Sequence, residues 1–234
     1  MKNIRIMIGC LLLALCSCKK NYISGGSIED VNKYKNMSTY DVLKGNPQYD
    51  TLMRLIDTAG LKDKINANGT TFFAPSDVAV LVYLNLRTIY VQATIDQYGK
   101  FALDSLFYYL RNNINGTRDS LLMYLIPESL PYSSLTNSGT AYPTELAGDT
   151  AIVSYEYVSD QYLGYSPLVS GQPQLVYYTH LWYSFTPSVN NPVGSITPQN
   201  GVHDLVKTSG ILTQNGIIHA LDNTAPLFFY GTKQ

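Results

Sequence analysis

Cysteine is nearly absent from this 234-residue sequence. Only Cys10, Cys16 and Cys18 occur, and all three lie near the N-terminus. Cleavage before Cys18 would leave the mature chain with a single cysteine, so we predict no disulfide within it. An exported protein without disulfides must be held together by its hydrophobic core, and this chain is long and apolar enough to build one.

Charged residues are also scarce, at 14% of the sequence, and their formal sum is −1. After Lys19 and Lys20 there is no basic run that could follow a phosphate backbone. We therefore predict that the chain does not bind nucleic acid.

Residues and motifs typical of catalytic or metal sites are few. Only His180, His203 and His219 occur, without a second histidine or a cysteine at metal-ligand spacing, so we predict neither a metal site nor a cofactor. His219 is predicted to be a hydrogen-bonded structural residue. Ser76 and Asp77 are explained by helix capping, and no Gly-x-Ser-x-Gly motif accompanies them. These features predict a protein that binds rather than catalyses.

The N-terminus has the pattern of an export signal. Lys2 and Arg5 supply positive charge, and the apolar run from Ile6 to Leu15 follows them. A run of this length is typical of a signal peptide and is too short to span a bilayer.

Cys18 lies where this apolar run ends. Leu15, Ser17 and Cys18 resemble a bacterial lipobox, in which the cysteine thiol is acylated and the chain is cleaved just before it. The alternative is an ordinary secretory signal that happens to contain cysteines. We predict a lipoprotein signal peptide at residues 1–17, and a lipidated Cys18 with a flexible tether at residues 18–36. The acyl chains, palmitate among them, would anchor the protein in the outer membrane or at the cell surface.

Residues 37–126 are predicted to be mainly helical. Ser38 and Asp41 resemble a capping box that opens a short helix ending at Gly45. A second helix buries one stripe and stops at Gly60, and the segment from Thr70 to Pro75 is an extended strand that runs into a helix capped by Ser76. The stripe consists of Tyr49, Leu52, Met53 and Ile56, and further helices are predicted at Leu103–Ile114 and Leu121–Ile126.

The second half of the chain has the two-residue period of strands. Strands are predicted at Ala151–Tyr157 and Gln174–Phe185. Gly210–Leu221 is predicted to be a hairpin with a tight primed turn at Asn215-Gly216. Helices followed by antiparallel strands favour an α+β fold. We predict a single domain at residues 37–230, with helices packed on an antiparallel β-sandwich.

Two segments resemble the signatures of the fasciclin domain family. The first is Thr71 to Val80, and the second is Asn215 to Asp222. Leu121 to Pro127 lies where members of that family carry a further apolar segment. The matching signature residues, which we expect to be structural, are Thr71, Phe73, Ala74, Pro75, Ser76, Asp77, Asn215, Gly216, His219 and Asp222.

The resemblance implies a fasciclin-like fold and a role in cell adhesion or protein interaction. Met123 and Tyr124 stand where some animal members carry a Tyr-His pair linked to integrin binding, so that activity is not expected here. Three segments are longer than a minimal fasciclin domain needs and are predicted to be binding loops: Leu84 to Lys100, Ser159 to Gln172 and Thr186 to Asn200.

Twenty tyrosines and one tryptophan favour an alternative function, carbohydrate binding beside an outer-membrane glycan uptake system. Trp182, Tyr178 and His180 share one face of the predicted long strand and are the candidate ligand-binding residues. The alternation does not decide whether this face or the opposite one points outward.

Overall fold

A computed structural model describes residues 32–168, 171–183, 185–188, 190, 193–222 and 224–233. The predicted signal peptide, the lipidation site at Cys18 and most of the predicted tether lie outside the described residues. Within the described part, Gln214 N donates a hydrogen bond to Met37 O at 2.8 Å, so the fold includes the chain from Met37 onward.

The N-terminal half is helical, as its sequence predicts. Short 3-10 turns occur at Pro47–Tyr49, Ile114–Gly116, Leu121–Tyr124, Tyr132–Ser134, Gln161–Leu163, Val193–Ser195 and Leu227–Phe229. The α-helices are α1 (Thr39–Lys44), α2 (Asp50–Ala59), α3 (Lys62–Ile65), α4 (Asp77–Thr94), α5 (Leu103–Arg111) and α6 (Thr117–Ser120).

The predicted ends of α1 and α2 are confirmed, whereas the helix predicted at Leu103–Ile114 ends at Arg111. Ser38 Oγ accepts a hydrogen bond from Asp41 N at 3.1 Å at the start of α1. Gly60 ends α2 in the left-handed conformation that glycine adopts without strain. The predicted apolar stripe of Tyr49, Leu52, Met53 and Ile56 is buried.

Within the described ranges, seven strands form one sheet in the order β2-β1-β7-β6-β5-β4-β3. They are β1 (Thr70–Ala74), β2 (Leu125–Ile126), β3 (Thr140–Pro143), β4 (Thr150–Tyr157), β5 (Gln174–Leu181), β6 (Gly201–Leu212) and β7 (Gly216–Leu221). The predicted α+β class is therefore confirmed.

The predicted antiparallel sandwich is wrong in two respects. First, β1 and β7 are parallel, with Phe73 opposite His219. Second, the strands belong to one sheet, because the long strand β6 pairs with β5 through its first half and with β7 through its second half. The pairing of β6 with β7 is irregular between Val206 and Ile211.

The hairpin predicted around Asn215-Gly216 exists, but its turn is not of the primed type. A type I′ turn needs positive φ at both central residues, and neither Asn215 nor Gly216 has it. Gly216 instead begins β7 beside β1, where an added Cβ would clash with the Thr70 carbonyl. Glycine is needed here for close approach of two backbones.

Three other predicted boundaries change. The long strand β5 ends at Leu181 rather than at Phe185. Leu121–Ile126 is a 3-10 turn followed by β2, because Leu125 and Ile126 pair with β1. Much of the segment Leu84 to Lys100, predicted as a loop, is helical, since α4 continues to Thr94.

One hydrophobic core joins the helices to the sheet. Side chains from α1, α2, α4 and α5 pack in the same buried cluster as those from β1, β4, β5 and β7. Leu227 and Phe229, close to the C-terminus, also belong to this cluster. Among the described residues, none of the helices has the length and apolar character required to cross a bilayer.

Candidate functional site: a tyrosine-rich surface

The signature residue Phe73 lies at the centre of the core. Its side chain is fully buried. Its ring stacks on His219 of the parallel neighbour strand, with centroids 5.0 Å apart, and lies 4.6 Å from the ring of Tyr178. The two signature segments therefore meet through the β1–β7 pair.

His219 is a buried structural residue. Its Nε2 donates to Leu130 O at 2.9 Å, while its Nδ1 accepts from Gly210 N at 3.3 Å. This pattern holds the ring in one neutral tautomer. Burial disfavours the charged form and lowers the pKa of His219 to about 4, although the hydrogen bond to Leu130 opposes the shift.

The polar signature residues form hydrogen bonds to segments that are distant in the sequence. Thr71 Oγ1 donates to Glu128 O at 2.7 Å and accepts from Leu130 N at 2.9 Å. Asn215 Oδ1 accepts from Thr39 N at 2.8 Å, which links the hairpin to the start of α1. Asp77 accepts from Thr51 N and Leu52 N, at 2.8 and 2.9 Å, and so caps α2.

The remaining signature residues have local roles. Ala74 and Pro75 are buried, and Ser76 caps α4 by accepting a bond from Ala79 N. Asp222 accepts a bond from Thr224 N just after β7. The signature residues therefore build the scaffold rather than an open site.

The predicted ligand-binding face of β5 points mainly into the protein. Tyr178 is fully buried, and its hydroxyl donates to Met123 O. His180 is also buried and stacks on Phe229, with centroids 5.4 Å apart. The face whose exposure the sequence left open is therefore buried at these two residues, because the C-terminal turn with Phe229 packs over them.

Trp182 lies at the edge of this face and is half-buried. Its ring meets His180 edge-on, with centroids 4.9 Å apart, and its Nε1 donates to Pro198 O at 3.1 Å. His180 Nδ1 lies 3.6 Å from Asp149 Oδ1. Burial lowers the pKa of His180, and the nearby Asp149 partly opposes this shift. These contacts indicate a structural role for the buried imidazole.

The opposite face of the sheet brings a hydroxyl, an imidazole and a carboxylate together. Thr179 Oγ1 lies 2.7 Å from His203 Nδ1, and His203 Nε2 lies 3.1 Å from Glu156 Oε1. Thr179 is fully buried, so a substrate cannot reach its hydroxyl in this conformation. Within the described residues, no three histidine, cysteine or acidic side chains are grouped to hold a metal ion.

An aromatic surface lies where β4 leaves the core. Tyr132, Tyr155 and Tyr157 form it, and we call these three residues the tyrosine strip. The ring of Tyr155 lies 5.7 Å from that of Tyr132 and 5.8 Å from that of Tyr157. Tyr157 is 50% exposed and Tyr132 is 37% exposed.

Polar groups surround the tyrosine strip. The Tyr132 hydroxyl donates to Gln174 Oε1, and Asn137 Nδ2 donates to Tyr155 O at 3.1 Å. Partial desolvation, then the neighbouring phenols, raise the pKa of Tyr132, so its hydroxyl stays a hydrogen-bond donor at neutral pH.

The tyrosine strip does not stand out in the sequence as a site. Its available signal was the alternation of Val153, Tyr155 and Tyr157 in the predicted strand. Exposure rises along this face, from a buried Val153 to an exposed Tyr157. Only the position of the core edge shows which of these residues reach solvent.

The fasciclin domain model matches residues 47–165, just over half of the chain. The chain belongs to the fasciclin domain family. This match includes the first signature segment, while the second segment lies beyond it. Membership of the fasciclin family supports a role as an adhesion or protein-interaction module in general terms, and the tyrosine strip lies within the matched residues.

A solved structure is also similar to this fasciclin domain. It is a FAS1 domain pair from the insect cell adhesion molecule fasciclin I, with 16% sequence identity and a TM-score of 0.39. The alignment covers 74% of this chain, and the chain spans 42% of that structure's length. A search of curated proteins finds no significant match.

Proposed function

We propose that this fasciclin domain is a lipid-anchored extracytoplasmic module that binds a protein partner at the cell surface through the tyrosine strip. Family membership supports adhesion or protein interaction in general. The observation that carries the proposal is the group of adjoining tyrosine rings at the edge of the core. Tyrosine is enriched at binding surfaces because its ring contributes apolar area and its hydroxyl keeps a hydrogen bond.

The ring angles favour a protein partner over a sugar. The planes of Tyr155 and Tyr157 are 84° apart, and those of Tyr132 and Tyr155 are 39° apart. A sugar ring stacks best on a flat aromatic face, whereas tilted rings present ridges that side chains of a partner can fill. The strip is therefore better suited to a shaped protein surface.

The test compares strip variants in cell adhesion. Cells that display the full chain are measured for aggregation, with the double variant Tyr132→Ser/Tyr157→Ser as the test. Tyr108→Ser is the matched control, because Tyr108 is exposed and lies on helix α5, away from the predicted binding loops. Since truncating a dominant aromatic in an interface weakens binding by about 30-fold or more, we expect the double variant to lose aggregation. Wild-type aggregation by a normally folded double variant would contradict the proposal.

Carbohydrate binding is the second candidate function. The observation that favours it is the combination of exposed phenol rings with the Gln174 amide beside them. A glycan array probed with the same double variant and the Tyr108→Ser control tests it. Saturable glycan binding that requires Tyr132 and Tyr157 would replace the protein-partner proposal.

The anchor is a separate part of the proposal. Cys18 follows the apolar run and is the single cysteine that would remain after cleavage, so its thiol is the expected acylation site. Palmitate labelling of wild type and Cys18→Ala in cells tests it. We expect the variant to lose the label and its membrane attachment. A labelled, membrane-bound Cys18→Ala chain would mean that the signal is not a lipobox.

A further inference from the structure

The last turns of helix α4 extend beyond the core. The residues of α4 that are buried, Ala79, Val80 and Tyr83, all lie in its first half. Residues 92–98 are all exposed. We call the exposed apolar group at this end the apolar tip. It consists of Ile89, Tyr90, Ala93, Ile95 and Tyr98.

The apolar tip contains large side chains that are mostly exposed to solvent. Ile95 is 74% exposed, Tyr98 is 85% exposed and Ile89 is 62% exposed. Single exposed apolar residues are normal on protein surfaces, but a group of them at one end of a helix indicates a surface that is covered in use.

Charge is nearly absent from this part of the helix. Arg87 is the single charged residue between Val78 and Ile95. Its guanidinium lies 4.7 Å from the ring centre of Phe101 and 5.3 Å from that of Tyr230, and it reaches the tip only at Tyr90, whose ring centre is 5.8 Å away. Asp96 and Lys100 are the nearest charged residues beyond Ile95.

The loop that presents the apolar tip is held by hydrogen bonds. Ile95 N and Asp96 N both donate to Val91 O, at 2.8 and 3.0 Å. Tyr98 N donates to Asp96 Oδ1 at 3.0 Å, so the Asp96 carboxylate is engaged within the loop. Gly99 packs so closely that an added Cβ would press on Val91. Ile95 and Tyr98 therefore project from a turn whose backbone is held by these hydrogen bonds.

We propose that the apolar tip inserts into the interfacial region of the lipid bilayer that holds the acylated Cys18. This inference rests on the proposed lipid anchor. Tyrosine and aliphatic side chains without charge are suited to the boundary between headgroups and acyl chains, and Lys100 can meet anionic headgroups beside them.

The length of the tether supports the bilayer as the occupant. Thirteen residues, 19–31, separate Cys18 from the first described residue. Thirteen residues of any chain reach about 45 Å at full extension and roughly 20 Å as a random coil. A domain of this size has a radius of gyration of about 16 Å. Since a tether of this length reaches further than that, every side of the domain can touch the membrane that holds Cys18. A second copy of the chain, by contrast, would reach the apolar tip only by lateral diffusion in the bilayer.

A single-cysteine probe can test the insertion. In the acylated mature chain the Cys18 thiol is blocked, and Cys10 and Cys16 are removed with the signal peptide, so Ile95→Cys provides one reactive thiol. A polarity-sensitive fluorophore is attached there, and the full mature chain is reconstituted in phosphatidylethanolamine and phosphatidylglycerol vesicles. The matched control is Leu168→Cys, at a residue that is 94% exposed in another loop.

We expect the probe at residue 95 to shift its emission to shorter wavelength and to be quenched by nitroxide-labelled lipid, whereas the probe at residue 168 does neither. Adding Ile89→Asp and Tyr98→Asp should lower the inserted fraction about tenfold or more, because each buried side chain of this size contributes at least that factor.

Three results would overturn the proposal. If the chain stays in the vesicle fraction but both probes behave alike, the anchor stands and insertion of the tip is refuted. If the emission shift is insensitive to nitroxide lipid and disappears when the protein is diluted in the bilayer, a second copy covers the tip instead. If the chain is absent from the vesicle fraction, the anchor fails and the inference fails with it.

Discussion

Asp204 and His219 are buried titratable residues whose pKa values shift in opposite ways. Burial, with the nearby Asp222 as a second cause, raises the pKa of Asp204 to about 7. Asp204 Oδ2 has no hydrogen-bond partner among the described residues. Burial lowers the pKa of His219 to about 4. Both side chains are therefore most stable in the fold when they are neutral.

The two shifts have opposite effects on stability. An unfolded aspartate ionises near pH 3.8, so the contribution of Asp204 is present below that pH and is lost as pH rises towards about 7. An unfolded histidine is neutral above about pH 6.5, so the contribution of His219 is present there and is lost as pH falls towards about 4. Between pH 4 and 7 the two contributions largely cancel.

We predict that the substitution Asp204→Asn removes this cancellation and leaves the pH dependence due to His219. Without the aspartate, the free energy of unfolding should rise with pH between about 4 and 6.5, by up to about 3 kcal/mol. Urea unfolding at several pH values measures it. Asp50→Asn is the control, because Asp50 is exposed, and its profile should follow wild type. A variant profile parallel to wild type would show that Asp204 is not protonated in the fold.

At the scale of elements, Asp77 joins two helices. Its position after Ser76 predicts an acidic residue in the first turn of its own helix, and the structure confirms this. The structure adds that both carboxylate oxygens accept backbone bonds at the start of α2, from Thr51 and Leu52. One side chain thus satisfies donors that α2 could not satisfy itself.

We predict that Asp77→Ala lowers the free energy of unfolding by about 1–3 kcal/mol, because two backbone donors lose their acceptor. Urea unfolding at neutral pH measures the loss. Asp50→Ala is the matched control, since Asp50 lies in the first turn of α2, the helix that Asp77 caps, but is exposed. Its effect should stay within about 0.5 kcal/mol. Equal losses in both variants would mean that helix-dipole charge, not capping, sets the effect.

Strand pairing shows where prediction from sequence stops. The strand segments at Thr70, Ala151 and Gln174 and the hairpin to Leu221 are recognisable from alternation and turn residues. The parallel pairing of β1 with β7 is not, because its residues lie far apart along the chain. Leu125 and Ile126 look helical by composition and become a strand because β1 offers them hydrogen-bond partners.

At the scale of the whole molecule, the fold is held by one apolar cluster and by bonds between distant segments. Asn215 makes two such bonds between distant segments. Its Oδ1 accepts a hydrogen bond from Thr39 N, and its Nδ2 donates to Ile65 O at 3.3 Å. The described residues contain no cysteine, so disulfides contribute nothing to this part of the structure.

We predict that thermal unfolding of the mature chain is the same with and without reductant. The physical reason is that the mature chain has at most one cysteine, which cannot pair within the molecule. Circular dichroism or calorimetry with and without a thiol reductant measures the midpoint. A midpoint that falls on reduction would point to a disulfide between two chains through unacylated Cys18.

The sequence by itself determined the helix caps, the buried stripe of α2, the α+β class and the signature segments that meet in the core. These features depend on residues within a few positions of one another, whose hydrogen bonds and periodicity are local. Only the tertiary structure decided which face of each strand is exposed. Tyr178 and Tyr157 both lie in aromatic strands, yet one is fully buried and the other is exposed, because burial depends on what distant segments pack against that face.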